Sequence, residues 1–146
     1  SVTVPVDIKA VKAFAKSTGV TPAAVYLAAS YIAFGRFVCE DTVSIVTVSN
    51  GRSNMKVRNT MGMFVNTLPL VTTLDHKENT LDFLRRVSQG FSDTIAHENY
   101  PFARIASKYD FHPRASYTYQ IGVLSDYTTA KGAVAVERLD LDILKT

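Results

Sequence analysis

The chain has 146 residues and carries 16 Lys+Arg against 13 Asp+Glu, a formal charge of +3. Hydrophobic residues make up 47% and charged residues 20%, which excludes a disordered tail, a collagen-like repeat and a coiled coil. The length suits one domain, and a domain of this size buries roughly 70% of its extended-chain surface.

The basic residues, among them Lys9, Arg52 and Lys108, are scattered along the chain rather than massed. With no RNP, helix-turn-helix or finger pattern, they read as a solvated surface and not as a nucleic-acid site. A mildly positive face would favour an acidic protein partner. The single Cys39 excludes an internal disulfide, and no Asn-x-Ser/Thr acceptor occurs. Both facts fit a reducing, cytoplasmic setting. The longest apolar stretch, Ala23 to Phe34, falls short of the roughly 20 residues that span a bilayer. No signal peptide is visible. The chain starts on Ser1 and stops at Thr146 without a terminating signal, so it is expected to be a piece of something longer, truncated at both ends.

In chain order, Ile8, Val11, Phe14 and Ala15 follow Asp7 at helical spacing, with Asp7 as N-cap and Gly19 as the stop. Thr21-Pro22 opens a second helix, about 22–38. It is apolar on every side, so it is expected to be buried all round as the central helix of a layered domain. Cys39 at its end reads as a packed thiol rather than a nucleophile. Val43 to Ser49 is a β-branched strand, followed by an Asn50–Asn54 loop. Phe64 to Leu74 is extended, with Pro69 marking an edge or a bulge. Thr80 caps a long helix whose stripe is Leu84, Val87, Phe91 and Ile95, and a short helix runs from Pro101 to Tyr109. Tyr117 to Val123 and Leu139 to Ile143 alternate as strands around an Asp126–Gly132 turn, a candidate hairpin. The order α-α-β-β-α-α-β-β predicts an α/β layered sandwich with a mixed sheet and flanking helices.

Much familiar chemistry is missing from the sequence. His76, His97 and His112 form no metal-ligand spacing, so no metal is expected. There is no phosphate loop, dinucleotide fingerprint or Gly-x-Ser-x-Gly elbow. The paired acids Glu40-Asp41 read as a turn, and Asp140/Asp142 as a solvent-exposed strand face. From its own residues the chain does not look like a complete enzyme.

Two stretches carry a resemblance. Asn50-Gly51-Arg52-Ser53 precedes Met61-Gly62-Met63-Phe64-Val65-Asn66-Thr67-Leu68-Pro69-Leu70, and His97-Glu98-Asn99-Tyr100-Pro101-Phe102-Ala103-Arg104 follows the long helix. In order and spacing these resemble the condensation domains of nonribosomal peptide synthetases. Val20–Val25 with Ala28-Ala29 resembles that family's buried helix, Asp110–Ser116 is a degenerate match to its Arg-rich turn, and Leu139-Asp140-Leu141 resembles a strand near the domain's end. The resemblance implies half of a chloramphenicol-acetyltransferase-like fold. The family's catalytic His-His-x-x-x-Asp-Gly lies in the N-terminal half, and no His-His pair occurs here. The chain therefore looks like the C-terminal subdomain, 1–146, inactive alone.

The parent implied by the resemblance joins an acyl or peptidyl thioester on one carrier protein to an amine on the next, in peptide antibiotic or siderophore biosynthesis. The implied partners are the N-terminal subdomain, peptidyl carrier proteins and an adjoining adenylation domain. The phosphopantetheine arm would come from the carriers, and no cofactor would be bound here. Val48–Ser53 and Gly62–Asn66 fit condensation better than the related epimerization domains. The alternatives are half of an epimerization or other acyltransferase domain of the same fold, such as an ester-forming one, and a non-catalytic carrier-docking module.

No catalytic residue is expected in the chain beyond Ser49, a candidate donor to a developing oxyanion. The tunnel-lining or structural candidates are Asn50, Gly51, Arg52, Gly62, Phe64, Asn66, Thr67, His97, Tyr100, Pro101 and Phe102. Among these, Arg52 is expected to pin a loop. Asn66 and Thr67 are expected to bond to backbone. His97 is expected to cap the preceding helix, and Tyr100-Pro101-Phe102 to pack a turn.

Overall fold

The computed structural model describes residues 4–57, 59–120, 127–129 and 132–134. Its elements are α1 (Ile8–Thr18), α2 (Pro22–Val38), β1 (Thr42–Ser49), β2 (Asn66–Thr73), α3 (Thr80–Ala96), α4 (Phe102–Tyr109), β3 (Ser116–Tyr117), β4 (Tyr127–Thr129) and β5 (Gly132–Val134). The mixed α/β architecture expected from the sequence is present.

Helix starts follow their local signals. The Asp7 carboxylate accepts from the Lys9 and Ala10 amides at 2.9 and 3.1 Å, and Gly19 ends α1 at φ 74°. The Thr21 hydroxyl accepts from the Ala24 amide, with Pro22 as the first helical residue. At α3 the cap is Asn79 rather than Thr80: its side chain accepts from the Leu81 amide at 2.8 Å. Asn79 and Thr80 are both good capping residues, and sequence alone does not rank them.

A three-stranded sheet has the order β2-β1-β3, with β1 antiparallel to β2 and parallel to β3. The β1–β2 register sets Ser49 opposite Asn66 and Val46 opposite Pro69. The Val46 amide donates to the Ala115 carbonyl at 3.0 Å on the β3 side. Alternation on β1 buries Val43, Ile45, Thr47 and Ser49; on β2 it buries Leu68, Leu70 and Thr72. These faces meet α2 and α3 in one core of Leu27, Ala28, Tyr31, Val43, Ile45, Leu70, Phe83, Leu84, Val87 and Tyr117. The Tyr117 hydroxyl donates to the Ala23 carbonyl at 2.7 Å, tying β3 to the start of α2. Arg86 locks α3 onto β2: it donates to Thr72 Oγ1 at 2.8 Å, to the Thr73 carbonyl at 2.9 Å and to both Glu78 oxygens.

Further expectations change. Helix α2 is buried on one side only: Ala24, Leu27, Ala28, Tyr31 and Gly35 face the core, while Ala29, Ile32, Ala33 and Phe37 are exposed. The sheet, α3 and α1 pack against α2, and the side bearing Ala29, Ile32, Ala33 and Phe37 is left open among the described residues. Cys39 is not packed; it is the exposed, left-handed C-cap of α2 at φ 56°. The segment read as the Asp126–Gly132 turn holds strands of its own, since β4 pairs antiparallel with β5, Tyr127 opposite Val134. The strand expected from Tyr117 to Val123 is shorter: β3 ends at Tyr117, and Thr118–Gln120 are not strand. Ile121, Val123, the Leu139–Ile143 strand and Asp140/Asp142 lie outside the described residues.

Candidate functional site

The site grows from the end of β1. Ser49 is its last residue, and Asn50–Ser53 turn the chain away. The Asn50 side chain accepts from the Arg52 amide at 3.0 Å, an Asx turn. Gly51 takes φ 64°, a conformation that favours glycine. It lies so close to the next segment that a Cβ built there would stand 2.0 Å from the Phe64 carbonyl oxygen.

Arg52 organises the loop that follows. Its guanidinium donates to the carbonyls of Val57 at 3.0 Å, Thr60 at 2.7 Å and Gly62 at 2.8 Å. It also sits over the Phe64 ring at 4.8 Å from the centroid. A planar fork with several donors suits three carbonyls at different points of one loop, and a lysine would not reproduce that.

The residue that organises the site from below is Glu98, to which the sequence reading gave no role. It is only 3% exposed. One carboxylate oxygen accepts from the Ser49 hydroxyl; the other accepts from the Ser53 hydroxyl and from the Ser53 amide at 3.1 Å. The Ser49 oxygen in turn accepts from the Gly51 amide at 3.2 Å. Burial by itself would raise the Glu98 pKa, but the hydrogen bonds from Ser49 and Ser53 outweigh it and hold the carboxyl below its ordinary 4.5. Glu98 stood inside the motif in plain view. The signal was an acid just past a helix end, but its partners lie 49 and 45 residues away.

Asn66 closes the arrangement from β2. Its side-chain amide donates to the Glu98 carbonyl at 2.7 Å and to the Tyr100 carbonyl at 2.9 Å. Ser49, Asn50, Gly51, Arg52, Gly62, Phe64 and Asn66 thus form one connected unit. Thr67 lies beside it, paired with Val48 in the ladder. His97 faces elsewhere: it is the C-cap of α3, its Nδ1 donating to the Asp93 carbonyl at 2.8 Å. With Tyr100 it lines a separate cavity of about 430 Å³ beside Pro69 and Arg104. Pro101 is the N-cap of α4, and Phe102 meets Phe111 edge-on at 6.1 Å.

The Ser49 expectation meets a competitor. A serine has one proton to donate, and here it goes to Glu98. In this arrangement Ser49 serves the carboxylate rather than an oxyanion.

Two adjoining cavities open at the strand end. One, of about 680 Å³, includes Ala23, Phe91, Tyr117 and Tyr119 in its lining. The other, of about 640 Å³, includes Arg52, Ser53, Met55 and Glu98. Val48, Ser49, Asn50 and Ile95 line both. No described histidine lines either.

Acid should expose the Glu98 network. A carboxyl whose pKa is lowered on folding adds stability that is present above its unfolded value and lost as pH falls through the folded one. Stability is therefore expected to fall below about pH 4.5. Glu78, lowered by its hydrogen bond from Arg86, contributes in the same direction, so denaturation midpoints against pH for wild type and Glu98→Gln separate the two. The variant should show a shallower acid slope; superimposable slopes would rule out a Glu98 contribution.

This fold, a mixed sheet with α2 and α3 on one face and a pinned loop at the strand end, is that of condensation domains, the chloramphenicol-acetyltransferase-like architecture. The family model described as "Condensation domain" matches residues 3–125, and the chain belongs to that family. Gramicidin S synthase 2 of Brevibacillus brevis is 34% identical over 94 residues, which cover 64% of this chain and 2% of that protein. Among solved structures, the SgcC5 protein of Streptomyces globisporus aligns with TM-score 0.71 at 21% identity, covering 86% of this chain and 30% of that one. Holo-AB3403, a four-domain nonribosomal peptide synthetase, aligns with TM-score 0.72 at 19% identity, covering 88% of this chain and 12% of that one. The chain spans 1 to 3% of the length of the curated relatives it matches. Among the described residues no helix is long and apolar enough to cross a membrane.

Proposed function

We propose that the chain is the C-terminal subdomain of a peptide-synthetase condensation domain and forms one wall of the tunnel in which two carrier-borne substrates meet. The observation that supports this best is the β1 end: a rigidly held turn bordering two adjoining cavities that no described histidine lines. Such a surface is suited to positioning substrates, with the proton transfer left to another part of the domain. The base is assigned to the His-His-x-x-x-Asp-Gly half, and this chain alone is inactive.

In this reading the amine on one carrier attacks the thioester carbonyl on the other, the C–N bond forms, and the thiol leaves on its phosphopantetheine arm. The arms arrive with the carriers as part of the substrates, and this chain holds none itself. A histidine of the N-terminal half removes or orients the amine proton. Tethering both reactants supplies much of the rate, because the encounter becomes effectively intramolecular. The partners are the N-terminal subdomain, peptidyl carriers and an adjoining adenylation domain, in a cytoplasmic assembly.

Val48 offers the test. It lines both cavities and is 50% exposed, so enlarging it narrows the cleft without crowding the core. In the intact synthetase Val48→Trp should lower amide formation about tenfold or more while carrier loading stays normal. Unchanged condensation would refute the tunnel-wall reading.

A further inference from the structure

Charged side chains are almost never fully buried unless paired. Glu98 is buried with a hydrogen-bonded partner set made of Ser49 and Ser53, both neutral. These two residues flank the Asn50–Arg52 turn. One carboxylate oxygen holds the strand end and the other holds the far side of the turn, so the carboxylate spans it like a clasp. The Glu98 carbonyl is bound in turn by Asn66 at 2.7 Å, which fixes the clasp to β2. What it holds in place is the strand end that lines both cavities.

We infer that Glu98 is a positioning residue that sets the partition between the two cavities, and thereby the size of acceptor amine that the cleft admits. The inference rests on the condensation reading above. Glu98 touches no reacting atom in this scheme; it acts through Ser49 and the turn. Freed from the carboxylate, the turn would lose three hydrogen bonds, and the two cavities would no longer be held apart at a fixed spacing. A larger amine would then find room where the native wall excludes it.

The measurement is a ratio of amide-forming rates in the intact synthetase, with the native acceptor and a bulkier aromatic acceptor loaded on the same carrier. Loss of folded enzyme scales both rates alike and leaves the ratio fixed, so the ratio reports positioning and not stability. Glu98→Ala should move it about fivefold or more toward the bulkier amine. Glu98→Gln, which keeps an acceptor oxygen in nearly the same place, should stay within about 1.5-fold of wild type. An unchanged ratio in an active Glu98→Ala enzyme overturns the inference. If that variant yields no active enzyme, Ser53→Ala takes its place: it removes one hydroxyl donor, keeps the carboxylate, and should shift the ratio about threefold in the same direction. No shift there overturns the inference as well. Val48→Trp in parallel separates the two levels. If it blocks condensation while the Glu98 ratio is flat, only the positioning role fails; if it has no effect, the condensation reading fails first.

Discussion

Leu27→Ala should destabilise the protein by about 2–5 kcal/mol, the range for removing a large aliphatic side chain from a packed core. Leu27 and Ile45 are the largest fully buried side chains among the described residues, and both belong to the core between the helices and the sheet. The informative control lies on the same helix. Phe37, 85% exposed, should tolerate alanine within about 0.5 kcal/mol. Urea midpoints at an unchanged slope would measure both. Equal losses at the two positions would mean that the outer face of α2 is covered after all.

Gly51→Ala is the second large effect, expected at about 2–5 kcal/mol, from the left-handed backbone penalty together with a forced steric shift. The Cβ would stand 2.0 Å from the Phe64 oxygen. Relieving that contact means moving Phe64, whose ring lies against the Arg52 guanidinium. The loss should therefore appear both in the denaturation midpoint and as faster proteolysis between residues 52 and 64. A change smaller than about 0.5 kcal/mol would contradict the close approach.

The sequence was most legible where the physics is local. Asp7, Thr21 and Pro22 mark helix starts because a capping side chain reaches amides only two or three residues away. The β-branched run and its alternation place β1 to within one residue. The one-sided burial of α2 was hidden, because apolarity tells what a surface prefers and not what is available to cover it. Cys39 was misread for the same reason. The site was half legible: Arg52 has the geometry of a loop pin and His97 that of a helix cap, both roles set within about ten residues of chain. Glu98 was not legible, since burying a carboxylate becomes tolerable only once Ser49 and Ser53 have been folded onto it from the other side of β2 and α3.

Pro69 shows how the sheet treats its own border. Val46, its partner in the ladder, directs its amide toward β3. At this antiparallel position the Pro69 nitrogen therefore points away from β1, and the missing N–H costs the ladder nothing. The gap falls instead on the outer side of β2, the edge strand of the described sheet. A strand from another molecule, sliding alongside to extend the sheet, would meet a ring at mid-strand where it needs a donor. One residue thus lets β2 stay fully paired on its inner side while interrupting growth of the sheet into aggregates.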